Sequence, residues 1–252
     1  MRIDFPKTEQ IPDLKQLWQR VFGDSDAFLD SFFALGFSPD HCLCAMEENQ
    51  LLGAMYWLDH SCRGSKIAYL YAVATAPEAR GQGICRNLTQ QARHVLTRQG
   101  YAGIVLVPAE PGLFAMYEKL GFAPSSGVKE IACLSGKTPL SLRALGPAEY
   151  NSLRNSLLPE GSAELEAQAL AFLASQAEFF TGEGWVLAAY RQKSTLTGLE
   201  YLGDSDLLPG ILNTLGCTQG SFRIPGTTRN FAMFAPLVPG EKSPAHLGFA
   251  FD

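Results

Sequence analysis

Between residues 66 and 107 the chain reads as a strand, a glycine-bearing loop, an amphipathic helix and a second strand, and this order limits the folds open to it. KIAYLYAVAT (66–75) is apolar on both faces, as a strand buried on both sides must be. The loop APEARGQG follows, then a helix from Ile84 to Arg98 whose Ile84, Leu88, Ala92, Val95 and Leu96 form one stripe, with Gly100 closing it. Gly103–Val107 is the next strand, stopped by Pro108. A strand joined through a helix to a second strand predicts a parallel crossover. The fold class expected is therefore α/β (α+β), a mixed central sheet flanked by helices.

The flanking segments extend this pattern. Ile11, Leu14, Leu17, Trp18, Val21 and Phe22 recur at helical spacing up to Gly23. Asp24 or Ser25 can cap a second helix carrying Phe28, Leu29, Phe32 and Phe33. Strands Cys42–Glu47 and Leu51–Leu58 flank a polar turn, Glu48-Asn49-Gln50, as in an antiparallel hairpin. A short helix, Leu113–Leu120, ends at Gly121. Residues 1–135 thus read as one unit, α-α-β-β-β-α-β-α. A Ser/Gly/Pro-containing connector (135–146) leads to a second, 140–252. There, helices are expected near 147–157, 163–180 and 206–215. Strands are expected at Val186–Tyr190, Thr195–Tyr201, 221–224 and 230–235. The order of elements repeats the first unit loosely, as a degenerate copy would. The apolar ending HLGFAFD predicts a docked strand.

Composition removes several classes. With 252 residues and 46% hydrophobic content the chain can bury a core, and no apolar run approaches a membrane span. The first ten residues lack the apolar stretch of a signal peptide, so a cytoplasmic location is expected. Net charge is −5 with no Lys/Arg block, which argues against nucleic acid as a partner. Cysteines at 42, 44, 62, 85, 133 and 217 show no paired metal spacing and read as buried free thiols. The histidines at 41, 60, 94 and 246 have no ligand spacing either, so no metal is expected.

The chemistry concentrates at Arg80-Gly81-Gln82-Gly83-Ile84-Cys85-Arg86, where a strand gives way to a helix. Unpaired N–H groups and the positive helix end suit a phosphate there, and glycines let the backbone approach it. Arg80 and Arg86 add charge on either side. A Walker loop would need Gly-Lys-Ser/Thr, and a dinucleotide loop a third glycine where Arg86 stands; neither pattern is met.

VATAPEARGQGICRNL (73–88), followed by a strand and LFAMYEKLGF (113–122), resembles the GNAT superfamily of N-acetyltransferases. The loop pattern Gln/Arg-x-x-Gly-x-Gly/Ala is met at Arg80 and Gly83, with Cys85 as a departure. VFGDSDAFLDSFF is similar to a two-unit bacterial branch. The resemblance implies the GNAT fold in the first unit, a degenerate GNAT-like second unit, and acetyl transfer from acetyl-CoA to an amine by direct attack. A sterol-carrier-like appendage is the alternative for the second unit. It also implies that N–H groups of residues 81–85 hold the diphosphate, that Ala72, Val73 and Ala74 pair with the pantetheine amides, and that Tyr117 protonates the departing thiolate. A thiol at a helix start predicts a lowered pKa for Cys85. Tyr69, Tyr71, Asp59 and His60 are candidates for the acceptor pocket, and Asp252 or the chain end for the base. The second unit has Asp204 and Asp206 where its phosphate loop should lie, so one active site per chain is expected. The competing functions are a non-catalytic acyl-CoA-binding module and a protein N-acetyltransferase; a homodimer is left open.

Overall fold

The hairpin between β3 (Gln50–Cys62) and β4 (Ser65–Thr75) dominates the first sheet. It closes at Arg63-Gly64, both at positive φ (50° and 76°), a turn whose twist matches that of the strands. The tight turn carries β3 through the polar Asp59-His60-Ser61, where sequence reading ended it at Leu58. β1 (Arg2–Asp4) and β2 (Cys42–Glu47) add antiparallel beside β3, and β5 (Gly103–Leu106) adds parallel to β4. The computed structural model describes residues 1–251. The expected role of Asp252 therefore lies outside the described residues.

Helix α1 (Ile11–Phe22) buries Leu14, Leu17 and Trp18, and Gly23 closes it at φ 78°. Ser25 caps α2 (Asp26–Ser31) by accepting from the Phe28 N–H at 3.2 Å. Asp24, the other capping candidate, instead accepts from the Trp18 indole at 2.7 Å. Beyond α2 the backbone widens into one π turn, Phe32–Gly36, closed by Phe37 N–H on Phe32 O at 2.8 Å. Helix α3 spans Ile84–Arg98 and buries the expected stripe, Leu88 and Ala92 completely. Each such leucine contributes about 1.5–3 kcal/mol relative to exposure. Helix α4 is Leu113–Glu118.

The chain divides into two compact units that are not continuous stretches. The first holds Met1–Ala123, Glu166–Phe172 and Met233–Ser243; the second holds Pro124–Leu165, Leu173–Ala232 and Pro244–Asp252. A strand from late in the chain, Met233–Pro236, joins the first sheet by pairing antiparallel with β5. Conversely β6 (Gly127–Leu134), read from sequence as the end of the first unit, belongs to the sheet of the second.

That second sheet also contains β7 (Arg143–Ala144), β8 (Glu178–Gly182), β9 (Trp185–Gln192), β10 (Thr195–Leu202), β11 (Gln219–Pro225) and β12 (Arg229–Asn230), in the order β12-β6-β11-β10-β9-β8-β7. Its helices are α5 (Pro147–Leu157) and α7 (Leu208–Thr214); α6 (Ala167–Gln176) lies between β7 and β8 in sequence. The helix expected over 163–180 is thus shorter. Phe179-Phe180-Thr181 favours a strand, and Glu183-Gly184, with Gly184 at φ 75°, folds it back on β9. The single strand expected at 230–235 is two, interrupted at Phe231-Ala232.

β10, α7 and β11 form a parallel crossover, as β4, α3 and β5 do in the first unit. Each has four parallel pairs, Ile67–Leu70 with Gly103–Leu106 and Thr195–Gly198 with Gln219–Phe222. Both strands then pass through a bulge. The connector is firmly packed on α7. Gly136 N–H donates to Pro209 O at 2.8 Å, Leu140 N–H donates to Thr214 Oγ1 at 2.8 Å, and a Cβ at Gly210 would stand 2.6 Å from Leu140 Cγ. Residues 246–251 are docked and buried, Phe249 at 1% exposure, but they form no strand. The backbone of this tail meets residues 161 and 163, through Ala245 N–H on Gly161 O (2.9 Å) and Ala163 N–H on His246 O (2.8 Å).

Candidate active site

Parallel pairing of β4 with β5 ends at Leu70 and Leu106, two residues before Pro108, while β4 continues beside β3. Tyr71 faces Tyr56 and Ala74 faces Ala54, so Met55 alone opposes Ala72 and Val73. Ala72 has φ 49°, a conformation that alanine rarely adopts. The bulge also breaks the two-residue alternation by which Ala72 and Ala74 would share one face of a regular strand. Ala74 is fully buried, whereas Ala72 and Val73 are half-buried. From Ala72 to Thr75 the edge on the β5 side has no strand partner among the described residues.

The loop after β4 is held from below. Gly53 on β3 permits a close approach, since a Cβ there would lie 2.7 Å from Ile84 Cγ2 and 2.9 Å from Ala74 O. Glu78 is bound by Arg20 (2.8 Å), and Gln82 Nε2 donates to the Glu78 carbonyl at 3.2 Å. Gly81 and Gly83 both take φ 78°. Asn87 N–H, on Gly83 O at 3.0 Å, is the first in α3 to find a helical acceptor. The N–H groups of residues 81–86 have no acceptor among the described residues, as expected of a helix start.

A groove of about 590 Å³ brings the expected residues Arg80, Gly81, Gln82, Gly83, Ile84, Cys85 and Arg86 together. Its remaining lining is Thr75, Ala79, Met116, Lys119 and Leu120. The last three are spaced as one helical face, a signal present in AMYEKLGF but obscured there by Tyr117. Tyr117 sits beside that face, 8% exposed, on the helix turn that carries Met116 and Leu120. Burial, and next the Cys85 thiol, push its hydroxyl well above the ordinary tyrosine range, so it stays protonated. That hydroxyl has no hydrogen-bond partner among the described residues.

The expected lowering of the Cys85 pKa is not found. Burial raises it, and the Thr89 hydroxyl lowers it only in part. Dehydration outweighs the helix end for a thiol enclosed this far. Nor do Asp59 and His60 approach the bulge. They stand opposite Ala68 and Ile67 at the start of β4, and Asp59 accepts from Tyr101 (2.5 Å) and pairs with Lys66 (2.9 Å). Tyr69 and Tyr71 stack with centroids 6.2 Å apart, and Tyr71 also meets Trp18, Phe32 and Phe172. Cys42 and Cys44 are free and buried as expected.

In the second unit the place of the glycine loop is taken by Asp204, whose side chain accepts from the Asp206 N–H at 3.0 Å. Beyond the bulge of β10 lies Glu200, 1% exposed, gripped by Arg154 through Nε (2.6 Å) and Nη2 (3.1 Å) and by His246 Nε2 at 3.0 Å. Burial alone would raise Glu200, but Arg154 and His246 overcome it and hold the carboxyl at about 2. Sequence reading gave no sign of this cluster.

This arrangement is an α/β unit in which a glycine loop with unpaired N–H groups opens a helix beside an unpaired strand edge. The sequence profile described as an acetyltransferase (GNAT) domain matches residues 2–125, which identifies that stretch as a GNAT domain. N-alpha-acetyltransferase 30 of Schizosaccharomyces pombe is 33% identical over 87 residues, which cover 33% of this chain and 58% of that protein. Among solved structures, a GCN5-related N-acetyltransferase from Anabaena variabilis superposes with a TM-score of 0.74 at 15% identity, over 94% of this chain and 73% of that one. A putative acetyltransferase from Pyrococcus horikoshii gives 0.66 at 15% identity, over 98% and 93%. These likenesses establish the fold. No helix among the described residues is long and apolar enough to cross a membrane.

Proposed function

We propose that the chain moves an acetyl group from acetyl-CoA to an amine, by direct attack, at one site in its first unit. The observation that carries this reading is the row of unpaired N–H groups at residues 81–86, on a stretch that lines a groove together with Arg80 and Lys119. Those donors suit a diphosphate, with glycine at 81 and 83 permitting close approach. The open edge of Ala72–Thr75 suits the pantetheine amides, which pair with it as a short added strand. Acetyl-CoA itself supplies the activated thioester.

Tyr117 then has one task. Its buried hydroxyl holds a proton at Oη that the departing sulfur takes up. The amine must arrive neutral or yield its proton to water, since Asp59 is engaged elsewhere. We assign the catalytic role to the unit expected over 1–135 and a non-catalytic one to that over 140–252. In the latter, Asp204 and Asp206 repel phosphate and the connector covers α7.

A second reading takes the acceptor amine from a protein N-terminus. It is favoured by the likeness to N-alpha-acetyltransferase 30. Thiol release from acetyl-CoA, measured over small amines and over peptides with free N-termini, tests both. Acceptor-dependent release supports an enzyme, and binding without release under every acceptor leaves an acyl-CoA-binding module.

A further inference from the structure

Lys119 stands apart from the other cations of the groove. Arg80 and Arg86 flank the glycine loop, on the wall that carries the row of N–H donors. Lys119 comes from a separate element, the turn immediately after α4, and has no ion-pair partner among the described residues. The backbone around it offers acceptors already in use: Tyr117 O takes the N–H groups of Leu120 and Phe122, and Glu118 O takes that of Gly121. Glu78, near the loop in sequence, is neutralised by Arg20. Lys119 is thus the one ammonium among the described residues that line the groove, exposed and a point charge on a flexible stem.

Coenzyme A carries two separate anionic groups, a diphosphate and a 3′-phosphate on its ribose. The N–H row and the two arginines match the diphosphate in number and in charge. A lone lysine on a separate element matches a monophosphate. Resting on the reading of this groove as the acyl-CoA site, we propose that Lys119 recognises the 3′-phosphate and so separates coenzyme A from its dephospho form. It acts as a specificity residue and takes no part in the chemistry of transfer.

The test is calorimetric binding of coenzyme A and of dephospho-coenzyme A to the full chain and to Lys119→Met, with Arg80→Met as control. The wild type should bind coenzyme A more tightly, by about five-fold at low ionic strength, and less so as salt rises. Lys119→Met should lose that factor for coenzyme A alone and bring the two affinities together, with its melting temperature unchanged. Arg80→Met should weaken both ligands alike. Equal weakening of both ligands by Lys119→Met, or no weakening of either, overturns the proposal. If the wild type binds neither ligand, the acyl-CoA reading falls and takes this inference with it. Wild-type binding with an unaltered preference in Lys119→Met sinks the inference alone.

Discussion

The main-chain N–H of Phe122 donates to the carbonyl of Tyr117 at 3.1 Å, while Gly121 N–H donates to Glu118 O at 3.0 Å with Gly121 at φ 86°. This is the left-handed closure of a helix end, and its accompanying apolar contact is the Phe122 ring edge-on to Tyr117, centroids 5.7 Å apart. The motif YEKLGF therefore does more than end α4. It fixes the rotation of the turn on which Tyr117 sits, beside the groove that Met116, Lys119 and Leu120 line.

Removing only the hydroxyl isolates its role. Tyr117→Phe keeps the ring against Phe122 and breaks no hydrogen bond. Melting temperature and coenzyme A affinity should be preserved, while turnover should fall by about 10²-fold or more. Because the hydroxyl is held well above the ordinary tyrosine range, the wild type should show no alkaline loss of turnover where free tyrosine begins to ionise. Steady-state rates against pH for both proteins check this. Unchanged turnover in the variant would remove Tyr117 from the mechanism.

Gly83→Ala separates a conformational cost from a binding cost. At φ 78° an alanine is strained by about 1 kcal/mol, although nothing lies within 4 Å of the added Cβ. Gly100→Ala, at φ 80° with equally open surroundings at the far end of α3, carries the same strain. Both variants should lose about 2–4 °C in melting temperature. Only Gly83→Ala should also weaken coenzyme A, by about ten-fold, because a ligand must approach that backbone. Equal affinity in the two variants would place the diphosphate elsewhere.

How far the residues announced this arrangement depends on the range of the interaction concerned. Helix α3 was legible from Ile84 to Arg98 because a five-residue stripe and Gly100 mark it locally. The loop was legible because Gly81 and Gly83 take the conformation that glycine tolerates best. The bulge was not, since it places an alanine, Ala72, in that same region, and alanine carries no local sign of it. The ends of the hairpins were missed where Arg63-Gly64 and Glu183-Gly184 turn the chain within two residues. Least legible were groups that meet across long stretches of sequence. Val128–Leu134 pairs with Gln219–Pro225, and Arg154 with Glu200, through contacts that no local pattern encodes.

The tail offers a sharp steric test. An added Cβ at Gly248 would stand 1.6 Å from Glu200 Oε1, against a carboxylate fixed by Arg154 and His246. Gly248→Ala must therefore shift the tail or break the cluster, and should cost about 1–3 kcal/mol. Hydrogen exchange should show faster labelling at the Ala163 N–H, which rests on His246 O. Wild-type exchange and stability in this variant would mean that the tail does not rest on Glu200.

Acid stability follows from the same cluster. The Glu200 carboxyl, ordinarily near 4.5, is held at about 2 in the folded chain by the Arg154 guanidinium and His246 against the penalty of burial. A group depressed by folding stabilises the native state above its unfolded value, and the benefit is lost as pH falls through the folded value. The window is thus from about 4.5 down to about 2, and the displacement corresponds to about 3 kcal/mol. Denaturant titrations at neutral pH and across that window should record a loss of this order in the wild type. The double variant Arg154→Met with Glu200→Leu removes both charges of the pair and should show a flatter acid limb, whatever its stability at neutral pH. Glu200→Gln alone leaves Arg154 buried beside a neutral amide and should be destabilised at neutral pH by about 3–5 kcal/mol. An acid limb as steep in the double variant as in the wild type would assign the acid sensitivity to other carboxylates.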